Sequence, residues 1–123
     1  MASRLSSYEE FWPYYVSEHM VPTTRRLHVF GTTLVLGSLV AAILLDPLWL
    51  LAAPLAGYAF AWAGHFFFEH NRPATFTYPL WSLRADFRMF RLTLLGRMGP
   101  ELQRARELYP AAVMGSRRAA LGG

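Results

Sequence analysis

"LHVFGTTLVLGSLVAAILL", residues 27–45, is followed after Asp46 and Pro47 by "LWLLAAPLAGYAFAWAGHFFF", residues 48–68. Each run is about twenty residues long, and as a helix rising 1.5 Å per residue it spans about 30 Å, the thickness of a bilayer's hydrocarbon core. The first contains one ionisable side chain, His28, and the second one, His65. Neither shows a polar stripe at helical spacing, so both read as apolar all round. A buried hairpin in a soluble protein is the alternative, but the remaining chain is short and rich in turn residues, too little to wrap two such helices. The expected fold is therefore all-α: a membrane-embedded antiparallel helical hairpin, turned at Asp46-Pro47, with flanking amphipathic and interfacial helices.

Working outward, Pro54 either kinks the second helix or marks its first turn. Gly31, Gly37, Ser38, Ala41 and Ala42, with Ala56, Gly57, Ala61 and Gly64 opposite, are small enough to let the helices approach closely. Arg25 and Arg26 precede the hairpin and Arg72 follows it, while the turn carries only Asp46. By the positive-inside rule both outer ends are cytoplasmic, in the inner membrane if the source is bacterial. "SYEEFWPYYVSEHMVPTTRR" reads as a short amphipathic helix broken at Pro22, with Thr23 or Thr24 capping the next. "LWSLRADFRMFRLTLLG" places Leu83, Phe87, Phe90 and Leu94 on one stripe and Arg84, Arg88 and Arg91 on another, an interfacial helix with arginines toward headgroups. The chain reads as one domain, with a core of about residues 8–98 and a tail from about 100 that ends frayed.

Composition narrows the partners. Charged residues make up 16% of the chain against 54% hydrophobic, and all 12 basic side chains are arginine, flanking apolar segments. That arrangement suits anionic lipid, not nucleic acid. Without cysteine there is no disulfide, thiolate metal site or cysteine nucleophile. The first residues carry acids and a proline where a signal peptide has its apolar core, so no cleavable signal is expected. No Ser-His-Asp elbow, phosphate loop, dinucleotide fingerprint or zinc-protease helix appears.

The chemistry concentrates at one end of the hairpin. His28 lies eighteen residues before Asp46 and His65 eighteen after Pro47, so antiparallel helices put both at one depth, about 27 Å from the turn. Glu69 follows His65 at i+4, on the same face. His70 is turned roughly 140° away and joins only if the helix has ended. His19, before Pro22, can fold back over the same face. Ionisable groups at membrane depth are costly and tend to be functional, and an all-nitrogen and oxygen set suits Fe(II), Mn(II) or Zn(II). Tyr58, seven residues before His65, is either a supporting donor or a packing aromatic. Asp86 either orients an imidazole or pairs with an arginine.

These residues carry a resemblance. "YYVSEHMVPTTRRLHVFGT" and "GYAFAWAGHFFFEHNRPATFTYPLWSLRADFRMF" resemble small membrane proteins long filed as a domain of unknown function, whose fungal branch comprises Fe(II)-dependent 2-hydroxy-fatty-acid dioxygenases. The likeness runs from about Tyr8 to Phe90, and the stretch after Pro73-Ala74 follows the bacterial branch. It implies that His19, His28 and His65 are the histidines required for iron-dependent activity, with Glu69, Arg72, Pro73 and Ala74 completing the pattern and His70 outside it. It implies α-oxidation, in which a long-chain 2-hydroxy fatty acid and O2 give an acid one carbon shorter. The substrate's hydroxyl and carboxylate would chelate Fe(II), and Arg72, Arg25 or Arg26 would neutralise the carboxylate. Three histidines with Glu69, four histidines, or two irons all fit the sequence, and the oligomeric state stays open. Two other classes compete: a non-catalytic lipid-binding or membrane-shaping protein working through its arginine helix, and a zinc-dependent membrane hydrolase.

Overall fold

Ser7 opens the first helix, α1 (Tyr8–Ser17), by accepting the amide of Glu10, whose carboxylate reaches back to the amide and hydroxyl of Ser6. This reciprocal cap, with Glu9 and Glu10 in the first turn, suits the positive end of the helix dipole. The computed structural model describes residues 5–110, and the frayed end expected of the last residues lies outside the described residues from 111 onward. α1 stops at Ser17, before Pro22, which starts the next helix. A proline at the first helical position loses nothing, because that amide has no partner inside the helix.

α2 (Pro22–Leu44) is the first arm of the hairpin. Asp46 caps the connection by accepting the amide of Leu48. The second arm, Pro47–Glu69, changes winding along its length: a 3-10 turn (Pro47–Leu51), α3 (Ala52–Ala63) and a π-helical turn (Gly64–Glu69). Pro54 falls in the first turn of α3, so it marks a beginning and not a kink. After a short 3-10 turn at Ala74–Phe76 come α4 (Pro79–Leu94) and α5 (Gly99–Leu108), and the described residues contain no strand.

Both arms are long and apolar enough to cross a membrane, and only 17% and 11% of their most apolar stretches are buried against the chain. Ile43 is 83% exposed, Leu55 72% and Phe67 72%. A soluble core hairpin would bury these side chains, so their exposure favours a surrounding lipid phase. Small residues hold the arms together unevenly. A Cβ on Gly31 would stand 3.2 Å from the Ala56 carbonyl, and one on Gly64 2.8 Å from the Thr24 methyl, whereas one on Gly37 would meet nothing within 4 Å. Gly37 is therefore no part of the close approach.

A second layer covers the open end of the hairpin. Phe11, Trp12, Tyr15 and Val16 of α1 pack with Ala85 and Met89 of α4, Met98, and Ala105 of α5. α4 turns Ser82, Ala85 and Met89 inward and leaves Leu80, Leu83, Phe87 and Leu94 exposed. Two arginines expected at headgroups serve this packing instead: Arg84 lies 3.9 Å over the Tyr8 ring and Arg88 4.2 Å over that of Trp12. Trp12 also donates to Glu101 of α5 at 2.8 Å.

A three-histidine candidate metal centre

The first layer delivers His28 from α2 and His65 from the π-helical turn, and the second delivers His19 from the connector after α1. Their ring centroids lie 4.5 Å (His19 to His28), 4.5 Å (His19 to His65) and 5.3 Å (His28 to His65) apart. The rings are 1%, 6% and 2% exposed in chain order, and one nitrogen from each lies within 4.8 Å of the others. Three imidazoles converging out of water are held by what grips their far sides.

His19 Nδ1 lies 2.6 Å from the Tyr15 carbonyl, one turn back in α1, and its ring stacks on Tyr15. His65 Nδ1 lies 2.6 Å from Asn71 Oδ1, and Asn71 in turn donates to the Glu18 carbonyl at 3.1 Å. His28 Nδ1 faces Asp86 Oδ1 at 3.6 Å, an electrostatic contact longer than a hydrogen bond, while the Tyr15 hydroxyl donates to that same oxygen. The acceptors hydrogen-bonded to His19 and His65 Nδ1 put the proton there, and the Asp86 carboxylate favours the same tautomer of His28, which turns the Nε2 lone pairs inward. The Nε2 atoms of His19 and His28 are buried without a hydrogen-bond partner. An unpartnered buried acceptor is costly unless something else binds it, and a divalent cation fits that need. Burial, then the neighbouring imidazoles of His65 and His28, push the His19 pKa well below its usual value, so the ring is neutral and able to ligate. Burial and the Asp86 carboxylate raise that of Tyr15, which therefore remains a donor.

Other expected site residues lie elsewhere. Glu69 is buried on the same turn as His65, but its Oε1 accepts the amide of Val21 at 2.7 Å. It thus caps α2 across the hairpin, the task expected of Thr23 or Thr24, and it is not one of the three converging groups. The helix does end before His70, yet His70 takes a left-handed backbone conformation (φ 57°) and points to the surface. Arg25 donates to the His19 carbonyl at 2.7 Å, Arg26 is exposed, and Arg72 lies 4.9 Å over the Phe76 ring. None of these arginines lines the cavity beside the histidines, whose volume is about 260 Å³. Tyr58 does line it, packed near Trp62, and Asp86 contacts Tyr15 and His28, not an arginine.

Sequence reading missed Asn71, Tyr15 and Ser82. The Ser82 hydroxyl is buried in the cavity wall without a partner, one turn before Asp86 on the same face of α4. That i, i+4 pairing of polar residues on a helix otherwise read as apolar against basic was the available signal. Asn71 had none beyond its position just past the end of an apolar span.

Fold and site together define an all-helical hairpin protein with a buried three-histidine centre suited to a metal ion. Residues 5–98 match the family described as "Mpo1-like: 2-hydroxy-palmitic acid dioxygenase Mpo1-like", and the chain belongs to that family. No curated protein and no solved structure matches it.

Proposed function

We propose that the protein is a membrane-embedded, Fe(II)-dependent dioxygenase that shortens long-chain 2-hydroxy fatty acids by one carbon. The observation that carries this is the set of three buried imidazoles gripped at Nδ1, with unpartnered Nε2 atoms on His19 and His28. The family's printed description supplies the reaction class. In the overall reaction the bond between the carboxyl carbon and C2 breaks, C2 becomes the new carboxyl carbon, and the old one leaves as CO2 with one water. The four electrons released equal those one O2 accepts, so no further reductant is required.

His19, His28 and His65 would hold the iron, which supplies a Lewis-acidic centre able to gather the 2-hydroxy acid and O2. The Tyr15 carbonyl, Asn71 and Asp86 fix ring orientation and tautomer. Burial of the rings keeps bulk water from the reacting groups. Arg25, Arg26 and Arg72 flank the hairpin's outer ends, which supports two crossings with the site at the cytoplasmic face. There they attract an anionic amphiphile without touching the histidine cavity.

The test is metal analysis of protein purified without oxygen, followed by mass spectrometry of products from 2-hydroxyhexadecanoic acid with and without O2. Near-stoichiometric iron and an O2-dependent fifteen-carbon acid are expected. Turnover without O2, or activity with zinc alone, would refute the assignment in favour of a hydrolase.

A further inference from the structure

We propose that the substrate's acyl tail lies in the cavity running from the histidines toward the hairpin turn, with Ala61, Gly57 and Ala53 as the floor that sets the longest chain admitted. The proposal rests on reading the site as one for 2-hydroxy fatty acids, and its geometry can be tested separately. Ala53, Gly57, Ala61 and His65 all line the cavity and recur every fourth residue, so three small residues lead along one face of α3 to a ligand histidine. Their smallness leaves room for a ligand. The backbone-to-backbone approach of the arms falls on Ala56, while a Cβ on Gly57 would stand 3.2 Å from a methyl of Val35, a side chain that itself lines the cavity.

The two ends of the cavity differ in chemistry. At the histidine end, His19 Nε2, His28 Nε2 and Ser82 Oγ are buried without partners. Toward the turn the walls are Val35, Ala53 and Pro54. A molecule that satisfies both ends has an oxygen-rich head and an unbranched apolar tail. Twelve residues separate Ala53 from His65, about 18 Å of helix, which matches about fourteen methylenes in extended form. Tyr58 and Trp62 line the same cavity and are exposed on the outer surface of the hairpin, giving a tail in the bilayer a lateral way in.

The test is binding of saturated fatty acids lacking the 2-hydroxyl, from eight to eighteen carbons, by displacement of a fluorescent fatty acid from Co(II)-loaded protein in detergent. Each methylene kept out of an apolar site costs a factor of about four. Ala53→Phe should therefore weaken sixteen- and eighteen-carbon acids about tenfold or more and leave eight- and ten-carbon acids unchanged, which also shows that the variant is folded. Ala61→Phe, one turn from His65, should weaken every length. Ala53→Leu, a smaller block at the same place, serves if Ala53→Phe does not fold. A length profile identical to the unmodified protein's in folded variants would overturn the proposal. Length-dependent binding without turnover of any 2-hydroxy acid would keep the channel and remove the dioxygenase reading. Turnover with an unmoved profile would do the reverse.

Discussion

Asn71→Leu removes the acceptor beside His65 Nδ1 while filling similar space, and its consequence can be sized from two directions. The 2.6 Å contact is made by a largely buried imidazole, and stranding a buried donor costs about 1–3 kcal/mol. Loss of a partner that orients a ligand histidine lowers metal affinity about 10–100-fold, or about 1.4–2.7 kcal/mol. The ranges coincide because the stranded proton and the misdirected lone pair are one event. Asn71 also ties the end of α1 through the Glu18 carbonyl, so a stability loss alone would prove nothing about the metal. Asn71→Asp separates the two roles: it keeps the acceptor for His65 and loses the donor to Glu18. We expect Asn71→Asp to bind Co(II), an air-stable stand-in, at least as tightly as the unmodified protein, and Asn71→Leu 10–100-fold more weakly, by competition with a chromophoric chelator. Equal affinity for Asn71→Leu, or an Asn71→Asp as weak as Asn71→Leu, would refute the reasoning.

Alanine at His19, His28 or His65 should abolish stoichiometric metal in elemental analysis, while His70→Ala retains it. His70→Gly should leave thermal stability unchanged or raise it by up to about 1 kcal/mol, since the left-handed backbone there suits glycine, whereas His70→Val should cost about 1–2 kcal/mol. Gly64→Ala drives a methyl into Thr24 beside the histidines and should cost about 1–3 kcal/mol together with metal affinity, while Gly37→Ala is neutral or stabilising by about 0.5–1 kcal/mol; detergent-phase unfolding reads both. Arg88→Glu should lower the unfolding midpoint, because Arg88 lies over Trp12 and 4.0 Å from Glu101. If it instead impaired vesicle binding with stability intact, the membrane-shaping reading would return.

The hairpin and the pairing of His28 with His65 were legible because both depend only on counting residues from one turn. Antiparallel helices of equal rise convert equal sequence distance into equal depth, and the rings lie 5.3 Å apart. For Glu69 the same counting assumed α-helical winding to the end. Across 64–69 the winding relaxes to a π-helical turn, closed by the amides of His70 and Asn71 on the His65 carbonyl. Facing alone could not say which of two neighbours, a metal or the bare amide of Val21, would take the carboxylate. The arginines pose a related case: charge and position predict attraction to an anionic headgroup, but a guanidinium near an aromatic ring has a competing partner, and Arg72 and Arg88 each lie over one.

Arg25, Arg26 and Arg72 stand outside the cavity, with Arg25 bound to the His19 carbonyl, and among the described residues no cationic side chain lines the cavity to neutralise a carboxylate. On the proposed reading, the groups facing the acid's head would be the unpartnered Nε2 atoms of His19 and His28 and the Ser82 hydroxyl, with Asp86 lining the same cavity. A carboxylate brought into that apolar space without a cation would be costly to desolvate. Binding of the acid head should thus depend strongly on a metal at the three histidines, while binding of the tail should not. The difference is measurable as a large metal-dependent gain in affinity for 2-hydroxyhexadecanoate and a small one for the corresponding uncharged alcohol. Equal gains for both ligands would mean that the head lies elsewhere.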